Sequence, residues 1–384
     1  MMYKIGEVFT LIRNGANIKQ GEDDTGYPIT RIETISNRFV DRNKMGYAGI
    51  HEIGRYSDYI LEDGDILMSH INSETHLGKV ALYEEIPGET IIHGMNLLCL
   101  RPNRSILNCR YAFYSLMSDG FLRQIPRIMK KSVNQASFTV TALKELQIHV
   151  PPMEQQLQIV SVMDRIQSLL LQRQKQAAVI DQLVKSRFIE LFGDPVLNQH
   201  GWRKVALEVN ATLLNGRAYK QDELLDSGKY PVLRVGNFFS NRGWYYSDLE
   251  LDDDKYCDNG DLLYAWSASF GPQIWNGGKV IYHYHIWKVL VGEAYNKQFL
   301  CKLLEYATES LMGDTHGIAM MHLTKSGMEK TEFIVPPIER QEQFAAFVEQ
   351  TDKSKYYSSL SFRYCQAAAN TYRQEWMTCR TSDF

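Results

Sequence analysis

The feature that most constrains this chain is a proline-containing segment that occurs twice. The residues VPPMEQQ (150–156) recur as VPPIERQ (335–341). Further matches precede each copy in the same order: Asn14-Gly15 and Lys19 with Asn215-Gly216 and Lys220, Tyr27-Pro28 and Arg31-Ile32 with Tyr230-Pro231 and Arg234-Val235, Gly64 to Leu67 with Gly260 to Leu263, and Gly78 to Val80 with Gly278 to Val280. The spacing between partners drifts, as insertions in surface loops would cause. We therefore predict two diverged copies of one large unit.

Each copy begins with a sequence that is typical of β structure. Short apolar runs at 64–68, 79–83 and 96–100 are separated by glycine, asparagine, aspartate and proline, which is the pattern of strands joined by turns. A helical stretch follows at 109–117 in the first copy and at 296–312 in the second, and a short strand then leads into Pro-Pro. At 384 residues the chain is long enough for two such domains.

After each Pro-Pro the apolar residues recur in alternating steps of three and four, which is typical of a coiled coil. The first seam comprises Ile159, Met163, Ile166, Leu170, Ala177, Ile180, Val184 and Leu191, and the second comprises Phe344, Val348, Phe362, Ala369 and Trp376. The first helix is expected to end near Gly193, before Asp194-Pro195. A helix of about 40 residues is about 60 Å long.

These patterns predict an α+β fold with a pseudo-two-fold internal repeat. Two β-rich domains, at 1–150 and 196–335, would be separated by two long antiparallel coiled-coil helices, at 151–195 and 336–384. The alternative is that each helix packs on the core of its own domain, as most amphipathic helices do. Against it, a helix of about 40 residues is longer than one small domain can cover. The second seam is polar in its middle, so it should be looser or stabilised by a partner.

The sequence contains none of the common motifs for nucleotide binding or hydrolysis. There is no GxxxxGK[ST] phosphate loop, no GxGxxG after a strand, and no GxSxG or HExxH. Both Pro-Pro pairs follow valine, so neither is the Asn/Asp-Pro-Pro-aromatic motif of an adenine methyltransferase. His283 and His285, with Asp314, His316 and His322, show no third ligand by spacing and are interpreted as polar strand and loop residues. We predict no catalytic residue and no metal site.

Charge and composition limit the classes of partner. The net charge of −3 argues against a generally basic DNA-binding surface, so any DNA site would be a local patch. The six cysteines show no CxxC spacing, so neither a zinc knuckle nor a disulfide framework is indicated. No stretch approaches the roughly 18 apolar residues of a membrane span, and the N-terminus lacks the apolar region of a secretory signal. We expect a cytoplasmic protein with no membrane partner.

Basic and amide-bearing residues are the candidates for DNA contact. Arginine can donate two hydrogen bonds to guanine, asparagine and glutamine can pair with adenine, and lysine more often binds phosphate. The candidates are Arg31, Arg38, Arg42, Lys44, Lys79, Arg123, Arg127, Lys130, Lys131, Asn134 and Gln135 in the first copy, and Lys220, Arg234, Asn237, Arg242 and Lys279 in the second. The alternative for each residue is that it simply solvates the surface.

The segment at 150–195 resembles the central spacer of the specificity subunits of type I restriction–modification systems. It joins Pro-Pro-x-Glu-Gln, the heptad helix and the terminus SRFIELFGDP in one run. The second VPPIERQEQF and the paired upstream matches extend the resemblance over nearly the whole chain. One departure is the end of the second helix, SFRYCQAAANTYRQEWMTCRTSDF (361–384), which is unlike the leucine- and lysine-rich ending of such helices.

The resemblance implies a sequence-specific, non-catalytic DNA-binding subunit. Each β-rich unit would be a target recognition domain that reads one half of a bipartite double-stranded DNA site, and the helices would set the gap. Two modification subunits, which bring S-adenosylmethionine, and restriction subunits, which use ATP and Mg²⁺, would be its partners, while this chain itself would bind no cofactor. Two alternatives remain open: a non-DNA scaffold that bridges partners through coiled coils, and a stand-alone enzyme that acts on DNA.

Overall fold

The computed structural model describes residues 1–18, 25–35, 39–132, 135–240, 243–267, 269–314 and 324–377. The chain divides into two compact units: Met1–Gln174 with Ser359–Phe384, and Lys175–Ser358. The division falls inside the two long helices, so each long helix contributes residues to both units. The domain ends at 150, 195 and 335 stay predictions. Two domains of mixed helix and strand content confirm the predicted α+β class.

The first unit is built around an antiparallel sheet of four strands in the order β2-β8-β5-β7. Its strands are β1 (Met2–Lys4), β2 (Phe9–Asn14), β3 (Pro28–Ile29), β4 (Gly46–Tyr47), β5 (Ile66–Ser69), β6 (Ile71–Asn72), β7 (Val80–Leu82), β8 (Leu97–Pro102), β9 (Lys130–Lys131), β10 (Ala136–Ser137) and β11 (Gln147–His149). Its helices are α1 (Ile5–Val8), α2 (Cys109–Leu116), α3 (Asp119–Leu122), α4 (Ile125–Ile128), α5 (Val140–Lys144) and the start of α6 (Met153–Phe192).

Both faces of this sheet are buried, because apolar side chains alternate to either side of β5 and β8. Ile66 and Leu100 belong to a core that also holds the first turns of α6 through Ile159 and Met163. Leu67 belongs to a second core on the opposite face. The start of the long helix is therefore part of the domain core.

The second unit contains two sheets of four strands, in the orders β13-β20-β17-β18 and β15-β14-β19-β16. Its strands are β12 (Lys204–Ala206), β13 (Ala211–Asn215), β14 (Tyr230–Leu233), β15 (Tyr245–Ser247), β16 (Tyr256–Cys257), β17 (Leu262–Ser267), β18 (Ser269–Ile274), β19 (Val280–Tyr282), β20 (Ile286–Val291) and β21 (Glu332–Ile334). Its helices are α7 (Leu207–Asn210), α8 (Val235–Phe239), α9 (Lys297–Asp314), α10 (Lys325–Lys330) and part of α11 (Ile338–Met377).

In each unit the first strand pairs with the strand that precedes Pro-Pro. Strand β1 pairs antiparallel with β11, and β12 pairs antiparallel with β21. The N–H of Val150 donates to the carbonyl oxygen of Met1, and the N–H of Val335 donates to that of Arg203, both at 2.8 Å. The first and last strands of each domain are therefore neighbours, and the long helix begins just after this strand pair.

A buried glutamine fixes the start of α6. The side chain of Gln156 is fully buried. Its Oε1 accepts a hydrogen bond from the N–H of Asn108 (2.8 Å), and its Nε2 donates to the carbonyl oxygens of Ile106 and Pro151 (both 2.8 Å). Asn108 in turn caps α2 by accepting hydrogen bonds from the N–H groups of Arg110 and Tyr111. One side chain thus joins the Pro-Pro turn to the beginning of α2.

Gln341 makes the same set of contacts at the start of α11. Its Oε1 accepts from the N–H of Asn296 (2.9 Å), and its Nε2 donates to the carbonyl oxygens of Ala294 (3.0 Å) and Pro336 (2.8 Å). Asn296 caps α9, as Asn108 caps α2. The glutamine in each copy of the repeated motif therefore has one structural role.

The end of α6 is packed in the core of the second unit. The rings of Phe188 and Phe192 contact Phe344 at centroid distances of 5.5 and 5.7 Å. Asp181 forms an ion pair with Lys355. Because Phe188 contacts Phe344 while Asp181, earlier in α6, contacts Lys355, later in α11, this stretch of the two helices runs antiparallel. Packing on the domain core, the alternative to a coiled coil, thus accounts for part of each helix.

The remaining seam residues differ in burial. Leu170 and Val184 are buried, as is Val348 in the second seam; Thr351 and Ser358 on the same helix as Val348 are also buried. The half-buried positions are Ile166, Ala177, Ile180, Leu191 and Phe362. The side chains of Ala369 and Trp376 lie outside the part of the chain whose side chains the structure describes. Across the described ranges, no helix combines the length and the apolar character that a membrane crossing requires.

We predict that Gln156→Ala destabilises the first unit by roughly 2–4 kcal/mol, because it removes a buried side chain that pairs with the N–H of Asn108 and with the carbonyl oxygens of Ile106 and Pro151. Urea denaturation of the full chain, with hydrogen exchange of the α2 amides reporting on this unit, measures the loss. Gln158→Ala is the matched control, since Gln158 is exposed two residues further along the same helix. Equal stability of the two variants would show that the buried contacts contribute nothing.

Candidate nucleic-acid interface

The densest basic cluster predicted from the sequence lies around a three-stranded ribbon, β6-β10-β9. The ribbon presents Lys130, Lys131 and Gln135, and the neighbouring Arg123 and Arg127 follow α3 and lie in α4; all five side chains are exposed. Asn134 lies outside the described residues. The structure therefore places these candidates, exposed, in neighbouring segments of the first unit, with charges that suit phosphate contact.

Glu74 forms an ion pair with Lys131, so it competes with DNA phosphate for this lysine. The Nζ atom of Lys131 lies 2.9 Å from Oε2 of Glu74, with both side chains exposed. An exposed ion pair of this kind contributes at most about 1 kcal/mol. Lys131 can therefore exchange Glu74 for a DNA phosphate at a small cost in free energy.

Lys79 is half-buried after the turn at Gly78.

The other candidates in the first unit differ in how closely a carboxylate is paired with their charge. The guanidinium of Arg42 donates to Glu89 (Nε to Oε2, 2.8 Å) and to the carbonyl oxygen of Glu84. This contact, together with the hydroxyl of Tyr83, lowers the pKa of Glu89 to about 2. Lys44 is exposed and lies 3.8 Å from Asp41. Arg38 lies outside the described residues. The charge of Arg42 is therefore already balanced by a carboxylate.

Arg31 lines a cleft in the first unit. The cavity has a volume of about 300 Å³, and its polar lining includes Arg31, Glu33 and Asn96. The guanidinium passes directly over Gly46, where an added Cβ would lie 2.2 Å from Nε of Arg31. A guanidinium, a carboxylate and a carboxamide in one cleft are groups that can hydrogen-bond to the edges of bases.

Arg234 lies at the corresponding place in the second unit. It follows β14 as Arg31 follows β3, and its guanidinium lies 5.0 Å from the centre of the Tyr245 ring. Asn237 is half-buried and donates to the carbonyl oxygen of Gly243 (3.1 Å). Arg242 lies outside the described residues. The arginine is thus exposed, while the neighbouring amide supports a loop.

Lys220 and Lys279 are exposed on the second unit. Nζ of Lys279 lies 4.6 Å from the centre of the Tyr256 ring, a cation–π contact. Arg217, which the sequence did not single out, makes a two-pronged contact with Glu223 (2.7 and 2.9 Å) that lowers the pKa of Glu223 to about 2.

The histidines of the second unit are not gathered into a metal site among the described residues. No group of three or more histidine, cysteine, aspartate or glutamate side chains there could hold an ion. His316 and His322 lie outside the described ranges. His283 and His285 instead belong to a cluster of rings with Tyr284 and Trp266. Burial lowers the pKa of His283 to about 4, with the charges of His285 and Arg234 acting in the same direction.

Sequence reasoning missed Asn96 and Trp266, and also Glu33, which lies two residues after Arg31. None of them is basic, and none falls in a repeated motif. Backbone pairing brings Asn96 beside Arg31 and Trp266 beside the loop of His283 to His285, and the residue types along the chain do not reveal that pairing.

Comparison with known proteins gives one consistent result. The family model for the type I restriction modification DNA specificity domain matches residues 1–180 and 200–356. A Methanocaldococcus jannaschii protein, described as the MjaX specificity subunit of a type I restriction enzyme, is 31% identical over 374 residues, which cover 91% of this chain and 86% of that protein.

Solved structures show the same fold at low sequence identity. The S subunit of a type I restriction-modification system from M. genitalium aligns with a TM-score of 0.58 and 13% identity, covering 99% of this chain and 96% of that one. A chain from a structure on complex assembly and conformational transition of the type I R-M system aligns with a TM-score of 0.55 and 15% identity, covering 98% and 97%. The chain belongs to the family of type I restriction modification DNA specificity subunits.

Proposed function

We propose that each unit of this specificity subunit reads one half of a bipartite double-stranded DNA site. As a member of its family, the chain is a non-catalytic component of a restriction–modification complex. The observation that carries the proposal is the matched construction of the two units around Gln156 and Gln341. One framework used twice, with different exposed side chains, suits the reading of two different DNA segments.

Further matched contacts support descent of the two units from one ancestor with a pseudo-two-fold relation. Thr139 caps α5 through the N–H of Ala142, and Thr324 caps α10 through the N–H of Gly327. Gly64 and Gly260 adopt positive φ angles of 85° and 88° before β5 and β17. Gly64 and Gly260 belong to paired segments of the sequence, and Thr139 and Thr324 precede the two Pro-Pro segments at the same distance, so the repeat extends from motifs to backbone conformation.

The long helices would fix the gap between the half-sites as an antiparallel coiled coil. Each is 40 residues long, so the length of about 60 Å limits the gap to under about 18 base pairs at 3.4 Å per step. The contacts Phe188–Phe344 and Asp181–Lys355 support antiparallel pairing in one stretch. The half-buried positions in the middle of the first seam suit a helix pair that a partner completes.

Two modification subunits would dock on these helices. Val179 and Leu183 are 60% and 50% exposed on α6, and exposed apolar side chains on one helix face are typical of a protein interface. The modification subunits would supply S-adenosylmethionine, and restriction subunits would supply the sites for ATP and Mg²⁺. A cytoplasmic location, where host DNA is accessible, follows from this role.

The function is tested by mapping methylated adenines in host DNA with and without the gene for this chain. We expect deletion to remove one bipartite motif, because the chain directs methylation to it. Persistence of every motif would contradict the proposal and would favour a scaffold without a DNA role. Incubating the purified chain with DNA, Mg²⁺ and S-adenosylmethionine is expected to give no turnover, whereas turnover would identify a stand-alone enzyme.

Lys130→Ala is expected to weaken DNA binding by a similar factor for cognate and non-cognate sequences. The slope of log K against log salt concentration should fall by about 1, because one phosphate contact is lost. Fluorescence anisotropy of the complex with modification subunits, at several KCl concentrations, measures both effects.

A substitution that removes a negative charge near the same ribbon provides the control. Glu74→Gln releases Lys131 from its ion pair, so we expect tighter binding and a steeper salt dependence. A loss confined to cognate DNA in Lys130→Ala would show that the lysine reads bases and does not bind phosphate.

The double substitution Ile166→Asp and Ile180→Asp is expected to reduce methylation at the bipartite site about 10-fold or more, because two carboxylates enter the half-buried seam. Gln167→Asp with Gln182→Asp is the matched control, since it adds the same charge at exposed positions of α6. Hydrogen exchange of α2 and α9 checks that both domains remain folded. Unchanged methylation in the isoleucine variant would exclude a packed helix pair.

A further inference from the structure

Two loops occupy corresponding places in the two units. Residues 94–96 (Gly-Met-Asn) lead into β8, and residues 283–285 (His-Tyr-His) lead into β20. Gly94 forms a parallel bridge with Ala16, and His283 forms one with Arg217. The two loops therefore sit on the same backbone framework, although they share no residue type.

Glycine makes this close approach possible in both units. An added Cβ on Gly15 would lie 2.2 Å from the carbonyl oxygen of Gly94, and one on Gly216 would lie 2.4 Å from that of His283. Real side chains do not tolerate such distances from backbone atoms. The Asn-Gly pair that recurs in the sequence thus has a definite role, which is to hold each loop against β2 or β13.

An arginine lies beside each loop because of parallel strand pairing that is the same in both units. Strand β3 pairs in parallel with the segment before the first loop through Ile29 and Ile92, and β14 pairs in parallel with β19 through Val232 and Ile281. Because the chain continues from these pairs in the same direction, the residues that follow β3 and β14 come next to the loops. These residues include Arg31 and Arg234.

The chemistry of the two surfaces differs. In the first unit, Arg31, Glu33 and Asn96 line the open cleft of about 300 Å³, and Ile18 and Ile29 also belong to its lining. The cleft therefore offers a planar group both hydrogen-bonding side chains and apolar side chains. Those are the requirements for recognition of a base.

In the second unit, rings occupy the corresponding place. His285 lies 5.1 Å from Trp266 and 4.0 Å from Tyr284, measured between ring centres, and the indole N–H of Trp266 donates to the carbonyl oxygen of Tyr284 (2.8 Å). Burial lowers the pKa of His285 as well as that of His283. Both imidazoles are therefore neutral at pH 7, and each offers one donor and one acceptor instead of a positive charge for phosphate.

We propose that these two corresponding surfaces determine the bases that each unit reads, through Arg31 and Asn96 in the first unit and through Arg234 and His285 in the second. The inference rests on the proposed function and extends it to particular residues. The framework is shared while the side chains differ, as is required if the two half-sites differ. The guanidinium groups match guanine O6 and N7, and the carboxamide of Asn96 matches adenine N6 and N7.

The test uses the complex of the full-length chain with its modification subunits and a DNA library in which both half-sites are randomised. Methylated members are sequenced for the wild type, Asn96→Ala and His285→Ala. We expect Asn96→Ala to lose about 10-fold or more of the discrimination at a position of one half-site. His285→Ala should do the same in the other half-site, and each variant should leave the opposite half-site unchanged.

Matched controls separate base reading from general effects. Asn43→Ala removes an exposed carboxamide elsewhere on the first unit, and His200→Ala removes an exposed imidazole before β12; neither should change the motif. An unchanged motif in Asn96→Ala and His285→Ala would overturn the inference, as would equal relaxation of both half-sites. If Asn96→Ala abolishes methylation, Asn96→Gln decides: a retained motif supports a carboxamide contact, and continued loss overturns it. A wild-type complex that shows no bipartite motif would instead refute the proposed function itself.

Discussion

The structure of each unit depends on a buried glutamine side chain at the start of a long helix. Gln156 and Gln341 each make three hydrogen bonds to backbone groups from two separate segments. A backbone group left unpaired in a protein interior costs about 1–3 kcal/mol, so the amide is strongly held in one orientation. It joins the strand that ends the domain, the Pro-Pro turn and the capped helix behind the sheet. The long helix consequently leaves its domain in a defined direction.

The two units use this shared framework to present different surfaces. In the first, a ribbon of exposed lysines lies on the same domain as an open cleft beside Arg31. In the second, neutral histidines and aromatic rings cluster next to Arg234. A net charge of −3 is compatible with DNA binding because a local patch of basic residues is enough for phosphate contact. Carboxylates such as Glu89 and Glu223 already balance the arginines that support loops.

The long helices combine two kinds of packing that the sequence cannot distinguish. Ile159 and Met163 lie in the core of the first unit, and Val184 and Phe188 lie in that of the second. An apolar stripe with heptad spacing looks the same whether its partner is a sheet or another helix. Ile166 also packs against the core of the first unit. The half-buried Ala177 and Ile180 lie between these ends, and they are the positions where a helix partner matters.

The sequence alone determined the two-domain α+β architecture, strands within one or two residues of Ile66–Ser69 and Gln147–His149, and the long helix that ends before Gly193. Those features depend on local periodicity, on turn residues and on a repeated motif, all of which can be read along the chain. The sequence also identified Arg31 and Arg234 as corresponding positions of the repeat, because each follows a Tyr-Pro pair. Tertiary structure alone decided that Asn96 lines one cleft with Arg31 and that the loop of His283 to His285 follows the strand paired with β14. Their positions depend on backbone pairing between segments far apart in the sequence, and such pairing places no constraint on the type of the side chain that it positions.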